Sequence, residues 1–408
     1  MIMIKIRKLL LLAVVASLIA IVPLAVAEPS HVYLTYSGAP ETTIDVNVIL
    51  PERASDVVVY YDTEPRDGNK DKYAHQVKAP HVQTLMELSD ERAMHVGVLS
   101  GLEPGKTYYF VAGQEEFGYT KERKFRTLPG GTNPVRFVNG GDMGVDGLVI
   151  PLLTHAGKAD PDFGLIGGDI AYVNGLLGEF AKWDKWLDNW DKHMVTTDGR
   201  MIPIVTAIGN HETNDYRGDD YAITAPWYTS LFGRQGENIY YTRKVGDNLV
   251  LFLLDSGHVV PHGGAQAEWL KRELEAHQNV QYKFAAYHVP LYPAHRDFEG
   301  AGSKLGREHW GPLFDQYGLT VGLEHHDHVF KRTKPIVGGQ VNDNGTVYIG
   351  DGCFGRPART VEPALRWYNE KQLAMAHFWI VDVSASGLKF EAINHKGESI
   401  DSFELPGN

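Results

Sequence analysis

Phe163-Gly164-Leu165-Ile166-Gly167-Gly168-Asp169-Ile170-Ala171-Tyr172 begins as an apolar strand and ends in polar chemistry. The same grammar recurs on both sides of it. Val135–Asn139 runs into Gly141-Asp142-Met143-Gly144, and Ile202–Ile208 into Gly209-Asn210-His211-Glu212. Tyr282–Tyr287 ends at His288, and Leu319–Leu323 precedes His325-His326-Asp327-His328. Leu249–Leu254 and Val347–Ile349 are two more apolar runs. Short apolar strands separated by helical segments predict an α/β domain. One such helix is Ala265–His277, with Trp269, Leu270 and Leu274 on one face. Side chains at the carboxyl ends of neighbouring strands converge on one rim of a sheet. That rim would collect Asp142, Asp169, Tyr172, Asn210, His288, His326 and His328. This set is too large for one tetrahedral zinc and suits two metals bridged by one carboxylate. His326 and His328 lie two apart, so on an extended segment their rings point the same way and reach adjacent metals.

Upstream the pattern is different. His31–Tyr36 and Thr43–Leu50 alternate apolar and polar residues, and Val57–Tyr61 is a β-branched and aromatic run. Turn residues separate these stretches, which predicts an all-β sandwich over residues 28–128. Gly101-Leu102-Glu103-Pro104-Gly105 followed by Lys106–Phe110 resembles the turn and strand that close fibronectin type III modules. Residues 129–134, Pro129-Gly130-Gly131-Thr132-Asn133-Pro134, read as a linker, and residues 135–408 as the second domain.

The order of the strand-end motifs resembles the metallophosphoesterase superfamily and, within it, the purple acid phosphatases. The matching residues are Asp142-Met143-Gly144, Asp169 with Tyr172, Asn210-His211-Glu212, His288 and His326-Asp327-His328. Tyr172 discriminates, because most of the wider superfamily lacks it. A fibronectin-like module ahead of the phosphoesterase and the late Ile349-Gly350-Asp351-Gly352 also resemble the larger members. The resemblance implies an αββα sandwich for the second domain. It implies one metal on Asp142, Asp169, Tyr172 and His328, and another on Asp169, Asn210, His288 and His326, with Asp169 as the bridge. It implies Fe(III) at the first position and Zn, Mn or Fe(II) at the second, which agrees with the donor types. A phenolate and two carboxylates are hard anionic ligands, whereas Asn210 with two imidazoles suits a divalent ion.

The activity implied is hydrolysis of small phosphate monoesters by in-line attack of metal-activated hydroxide. Asn210, His211, His295 and Arg296 would contact the substrate, with His211 and His295 catalytic. On the loop after His288 the plant-type members carry two adjacent histidines, and this chain has His295-Arg296. Arg296 can anchor phosphate but cannot donate a proton at acidic pH, which leaves His295 as the donor there. A related enzyme acting on diesters, nucleotides or inositol phosphates is the alternative, and a non-catalytic β-sandwich binding protein the remote one. His325 stands where the family usually has Gly. His258, His262 and His309 are read with it as structural, and Cys353 as a small buried residue. Trp183, Trp186 and Trp190 form one helix face and read as core, while Tyr216–Phe232 reads as a substrate loop or ordinary surface.

The 408 residues are 43% apolar and 22% charged, which excludes disorder, collagen and coiled coil. A formal charge of −12 argues against nucleic acid as a partner. Lys5-Ile6-Arg7-Lys8, the uncharged run from Leu9, and Ala25-Val26-Ala27 fit a signal peptide over residues 1–27, cut after Ala27. The expected product is secreted or periplasmic with no stable membrane association; an uncleaved N-terminal anchor is the alternative. A lone cysteine allows no intrachain disulfide.

Overall fold

The computed structural model describes residues 29–407, except 85–90, 215, 217–219, 237 and 351. The expected signal segment therefore lies outside the described residues. Residues 31–126 form the sandwich. One sheet has the order His31–Thr35, Thr43–Leu50, Ala93–Ser100, His81–Thr84. The other has His75–Lys78, Val58–Asp62, Thr107–Gln114 and Gly118–Tyr119, with Arg123–Arg126 also paired to Thr107–Gln114. Ile44, Val46, Val59, Phe110 and Phe125 fill the space between them.

Alternation along Thr43–Leu50 predicts one wet face, but seven of its eight residues are buried. The second domain covers the outer face. Tyr33 packs edge-on to Phe232, with ring centres 5.9 Å apart, and its hydroxyl donates to the Leu231 carbonyl at 2.8 Å. Arg243 reaches back from the second domain and donates to the carbonyls of Tyr36 and Gly38, each at 2.7 Å. The polar residues trapped on this face are paired: Ser37 donates to Asp45 and Asn47 to Thr35.

The second domain stacks two sheets. The six-stranded sheet runs Ile204–Ala207, Phe163–Gly167, Val135–Gly140, His377–Ser384, Gly387–Asn394, Ser399–Pro406. The seven-stranded sheet runs Tyr241–Val245, Leu249–Leu253, Tyr282–Ala286, Val321–Leu323, Val347–Gly350, Phe330–Thr333, Asn369–Leu373. Neighbours are parallel from Val135–Gly140 to Ile204–Ala207 and from Leu249–Leu253 to Val347–Gly350. These central strands are buried on both faces, so they carry continuous apolar runs. Phe137 of the first sheet stacks on Phe163 at 4.9 Å and meets Phe284 of the second at 6.3 Å, which ties the two inner faces together. The helices Val149–Lys158 and Phe180–His193 bury Leu152, Leu153, Trp183, Trp186 and Trp190 in one apolar cluster with Val138, Ile166 and Ile204 of the first sheet. Ala265–Ala276 contributes Leu270 and Leu274 to a cluster with Val250 and Phe252 of the second. The layers are helix, sheet, sheet, helix. The ligand-type residues therefore stand on the rims of two sheets rather than one.

Candidate metal centre

Three loops leave the first sheet for the site and two leave the second. Backbone N–H groups of Asp142, Met143 and Gly144 donate to the carbonyls of Gly168, Asp169 and Ile170, so the two aspartate loops run side by side. Glu212 braces them from below. Its buried carboxylate accepts from the backbone N–H of Asp169 and Ile170, each at 2.7 Å, and of Gly209 at 2.9 Å. From the second sheet, Ser256 Oγ accepts from the N–H groups of His288 and Val289. The Gly167 carbonyl, 2.9 Å from His288 Nδ1, leaves Nε2 to face the centre.

Two clusters of donor atoms result. Asp142, Asp169 and His328 form one, and Asp169, His288 and His326 the other, with the atoms of each within 4.8 Å of one another. Asp169 belongs to both. Asp142 Oδ1 lies 2.7 Å from His328 Nε2, and Asp169 Oδ2 lies 3.2 Å from His288 Nε2. The Tyr172 hydroxyl joins the first cluster, 3.1 Å from Asp142 Oδ1 and 3.0 Å from His328 Nε2. Asn210 Oδ1 is buried with no hydrogen-bond partner among the described residues. An orphaned acceptor on the residue before His211, whose N–H donates to Asp169 Oδ1 at 2.8 Å, fits a cation. Six of the seven residues singled out in the sequence thus meet at one centre, and Asn210 immediately precedes His211, which is hydrogen-bonded to it.

The charges agree. Burial opposes ionisation of Asp142, but His288, His328 and His326 outweigh it and hold its carboxyl well below the usual range. Burial pulls His288 down, yet Asp169 and Asp142 push it up to about 10. Burial, then Asp142 and Asp169, drive the Tyr172 phenol far above its ordinary value. His326 is driven down by burial and by His288.

The His-x-His geometry differs from the expectation. His326 and His328 are not on an extended segment; both have left-handed backbone, φ 76° and 54°. Asp142, Asp169 and Tyr172 share that conformation at φ 54–59°. Such angles cost a non-glycine residue on the order of 1–3 kcal/mol and persist where the surroundings over-determine them. His326 Nδ1 lies 3.0 Å from His288 Nε2, whereas His328 turns to Asp142 and Tyr172.

His325 faces away from the donors. Its Nδ1 is 2.8 Å from the Tyr287 carbonyl, and a Cβ on Gly167 would come within 1.9 Å of its ring. Glycine there makes room for histidine at 325. Gly352 is equally constrained: it has φ +60°, and a Cβ would lie 1.7 Å from Asp142 Oδ2.

His211 lies beside the centre. Its N–H donates to Asp169 Oδ1 at 2.8 Å, its Nδ1 is bonded to Asn174 Oδ1, and its ring stacks obliquely on Tyr172 at 4.2 Å. Burial lowers its pKa. His295 and Arg296 are exposed, and their N–H groups are anchored on Asp327 Oδ2. His295 Nδ1 is 2.7 Å from the Thr360 carbonyl. Arg296 Nε is 3.4 Å from Asp327 Oδ1. Neither side chain has a direct contact with the metal-type donors.

Two residues were missed from sequence. His258, read as structural, stands edge-on to His288 at 5.5 Å. It closely follows Asp255 at a strand end, the same positional signal that marked the ligands. Arg356, four residues past Gly352, lies with its guanidinium 4.3 Å from the centre of the Tyr172 ring. The tryptophans, by contrast, are core: Trp186 stacks on Trp190 at 5.2 Å. The end of Tyr216–Phe232 is core, since Trp227, Tyr228, Leu231 and Phe232 are buried in that same cluster, whereas Tyr216 and Ile223 are exposed.

Residues 29–127 match the family model described as purple acid phosphatase, N-terminal domain, and residues 141–330 that of the calcineurin-like phosphoesterases. An uncharacterized protein of Mycobacterium tuberculosis is 27% identical over 61% of this chain and 52% of its own length. Purple acid phosphatase 15 of Arabidopsis thaliana is 24% identical over 62% of this chain and 52% of its own. The chain thus spans about half the length of these curated relatives. The solved structure of purple acid phosphatase PPD1 from yellow lupin seeds shares the fold, with TM-score 0.78 and 20% identity over 93% of this chain and 74% of that one. With one family model on the sandwich, the other on the domain that carries the centre, and Tyr172 among its donors, the chain belongs to the purple acid phosphatases.

Proposed function

We propose that this protein is an exported acid phosphatase that hydrolyses phosphate monoesters at a dinuclear metal centre. The observation that carries this reading is Asp169, the one carboxylate among the described residues common to two clusters of donor atoms. Asp142, Asp169, Tyr172 and His328 would hold Fe(III); Asp169, Asn210, His288 and His326 would hold Zn, Mn or Fe(II). Bound there, the ions would supply Lewis acidity and a water of lowered pKa. The chain's own residues do the rest. His211, fixed by Asn174 and by Asp169 through its N–H, presents Nε2 to the phosphate. Asn210 would contact the same group, as would Arg296 on turning from Asp327. His295 donates through Nδ1 to Thr360, which leaves Nε2 to protonate the leaving oxygen. In this reading residues 135–408 are the catalytic unit, 28–128 the sandwich and 129–134 the linker. Export rests on residues 1–27; among the described residues no helix is long and apolar enough to cross a membrane.

The test is a comparison of 4-nitrophenyl phosphate with its bis ester on the metal-loaded mature chain. Faster turnover of the monoester at acidic pH is expected. A preference for the bis ester would make the enzyme a diesterase. No turnover of either, with metals bound, would leave the binding-protein reading. His295→Ala should keep the metals and lose about 10²–10⁴ in rate, most for alkyl phosphates with poor leaving groups.

A further inference from the structure

A cleft of about 510 Å³ opens beside Tyr172 and His211; its charged lining is Arg356, Lys182 and Asp146, the last paired with Lys185. Lys182 is committed to Glu179 at 2.8 Å. Arg296, the cation anticipated from sequence, faces Asp327. Arg356 has no acidic partner among the described residues; its guanidinium rests on the Tyr172 ring and projects from an exposed residue. Its position is nonetheless fixed. The Arg356 N–H donates to the Asp142 carbonyl at 3.0 Å, and its own carbonyl accepts from Cys353 Sγ at 3.2 Å. Gly355 lies so close to the Asp142 loop that a Cβ would come within 2.2 Å of the Met143 carbonyl. The backbone that carries this uncommitted guanidinium is therefore tied directly to the metal-ligand loop.

The chain as a whole is anionic, at −12, and the centre contains two buried carboxylates. A substrate whose leaving group carries its own negative charge meets repulsion there unless a cation receives it. A guanidinium is planar, always charged and matched to two phosphate oxygens at once. We propose that Arg356 and this cleft form a subsite for a second phosphoryl group, so that substrates bearing two phosphoryl groups are preferred over simple monoesters. The proposal rests on the phosphatase reading for its reacting group. The bond broken is unchanged: the leaving oxygen separates from phosphorus and takes a proton, while Arg356 holds the remote phosphoryl group.

The experiment uses the metal-loaded mature chain and its Arg356→Gln and Arg356→Lys variants, with pyrophosphate and 4-nitrophenyl phosphate as substrates. In Arg356→Gln the ratio of kcat/KM for pyrophosphate to that for nitrophenyl phosphate should fall about tenfold or more, with Arg356→Lys in between. Calorimetric Kd values for methylenebisphosphonate and inorganic phosphate give a readout without turnover, and their ratio should shift by a similar factor. Ratios that stay within about twofold of wild type, or equal losses on both probes, overturn the subsite. Should wild type turn over neither substrate, the phosphatase reading fails. The bisphosphonate then still decides the subsite: tighter binding than phosphate, lost in Arg356→Gln, supports it, and equal binding overturns it.

Discussion

Glu212 holds no place among the donors, yet three backbone N–H groups of the centre's loops end on its carboxylate. Burial and the neighbouring Asp169 raise its pKa to about 7, and the N–H groups of Ile170 and Asp169 oppose that rise. In Glu212→Gln one of the three must face an amide N–H₂, and the Asp169 loop loses its brace. Supports of this kind typically cost 10–100-fold in metal affinity when altered. We expect about that loss on titrating metal into the variant, with circular dichroism unchanged; unaltered affinity would make Glu212 merely structural. The residue types at the centre were legible because each stands directly after an apolar run. The contribution of Glu212 was legible only as part of Gly209-Asn210-His211-Glu212. Arg356 was not, because its proximity to Tyr172 arises from a loop path that no local pattern encodes, and His258 was marked only by the strand-end position of Asp255. The left-handed backbone of Asp142, Asp169, Tyr172, His326 and His328 was equally invisible, since it is uncommon for any residue but glycine and no local pattern marks it.

Elements were easier to read than their partners. The apolar runs from Val135 to Ile349 are strands within a residue or two of their expected ends, because burial on both faces demands uninterrupted apolar sequence. Which sheet each strand joins is a non-local choice, so one rim was expected where two exist. The strands His377–Ser384, Gly387–Asn394 and Ser399–Pro406 were not anticipated; they extend the first sheet as consecutive antiparallel hairpins beyond the site motifs. The helix Phe180–His193 shows the local signal working. Its tryptophan spacing predicts a core face, and Trp186 packs against Trp183, Trp190 and Phe232. Its other contacts reach the sandwich, with Asp184 2.7 Å from Arg92 and Asp188 3.3 Å from His31. Trp186→Ala should destabilise the chain by about 3–5 kcal/mol in urea unfolding. Trp186→Phe should cost clearly less, because the indole N–H has no partner to lose. Equal costs for the two would mean the helix is not held by this face.

At the scale of the molecule, the sandwich and the metal-centre domain share apolar clusters, so the chain answers acid as one body. Burial pushes His377 down to about 4, in a pocket against Phe330 at 5.2 Å. Its ordinary value is near 6.5. Between those values the unfolded chain binds more protons than the folded one, so this contribution is present above about pH 6.5 and is lost as pH falls toward about 4. The loss is on the order of 3 kcal/mol at most. His377→Phe should flatten that dependence: its urea midpoint should drop less between about pH 7 and about pH 4.5 than that of wild type, and an identical drop would remove His377 from the acid response. The proposed activity in acid would then need stability from elsewhere, and ions that bind only the folded chain would supply it. The claim on which the whole account stands is the centre shared through Asp169. Metal analysis of the purified mature chain after reconstitution tests it most directly. The account predicts two ions per chain, one of them iron. One ion or none would contradict it.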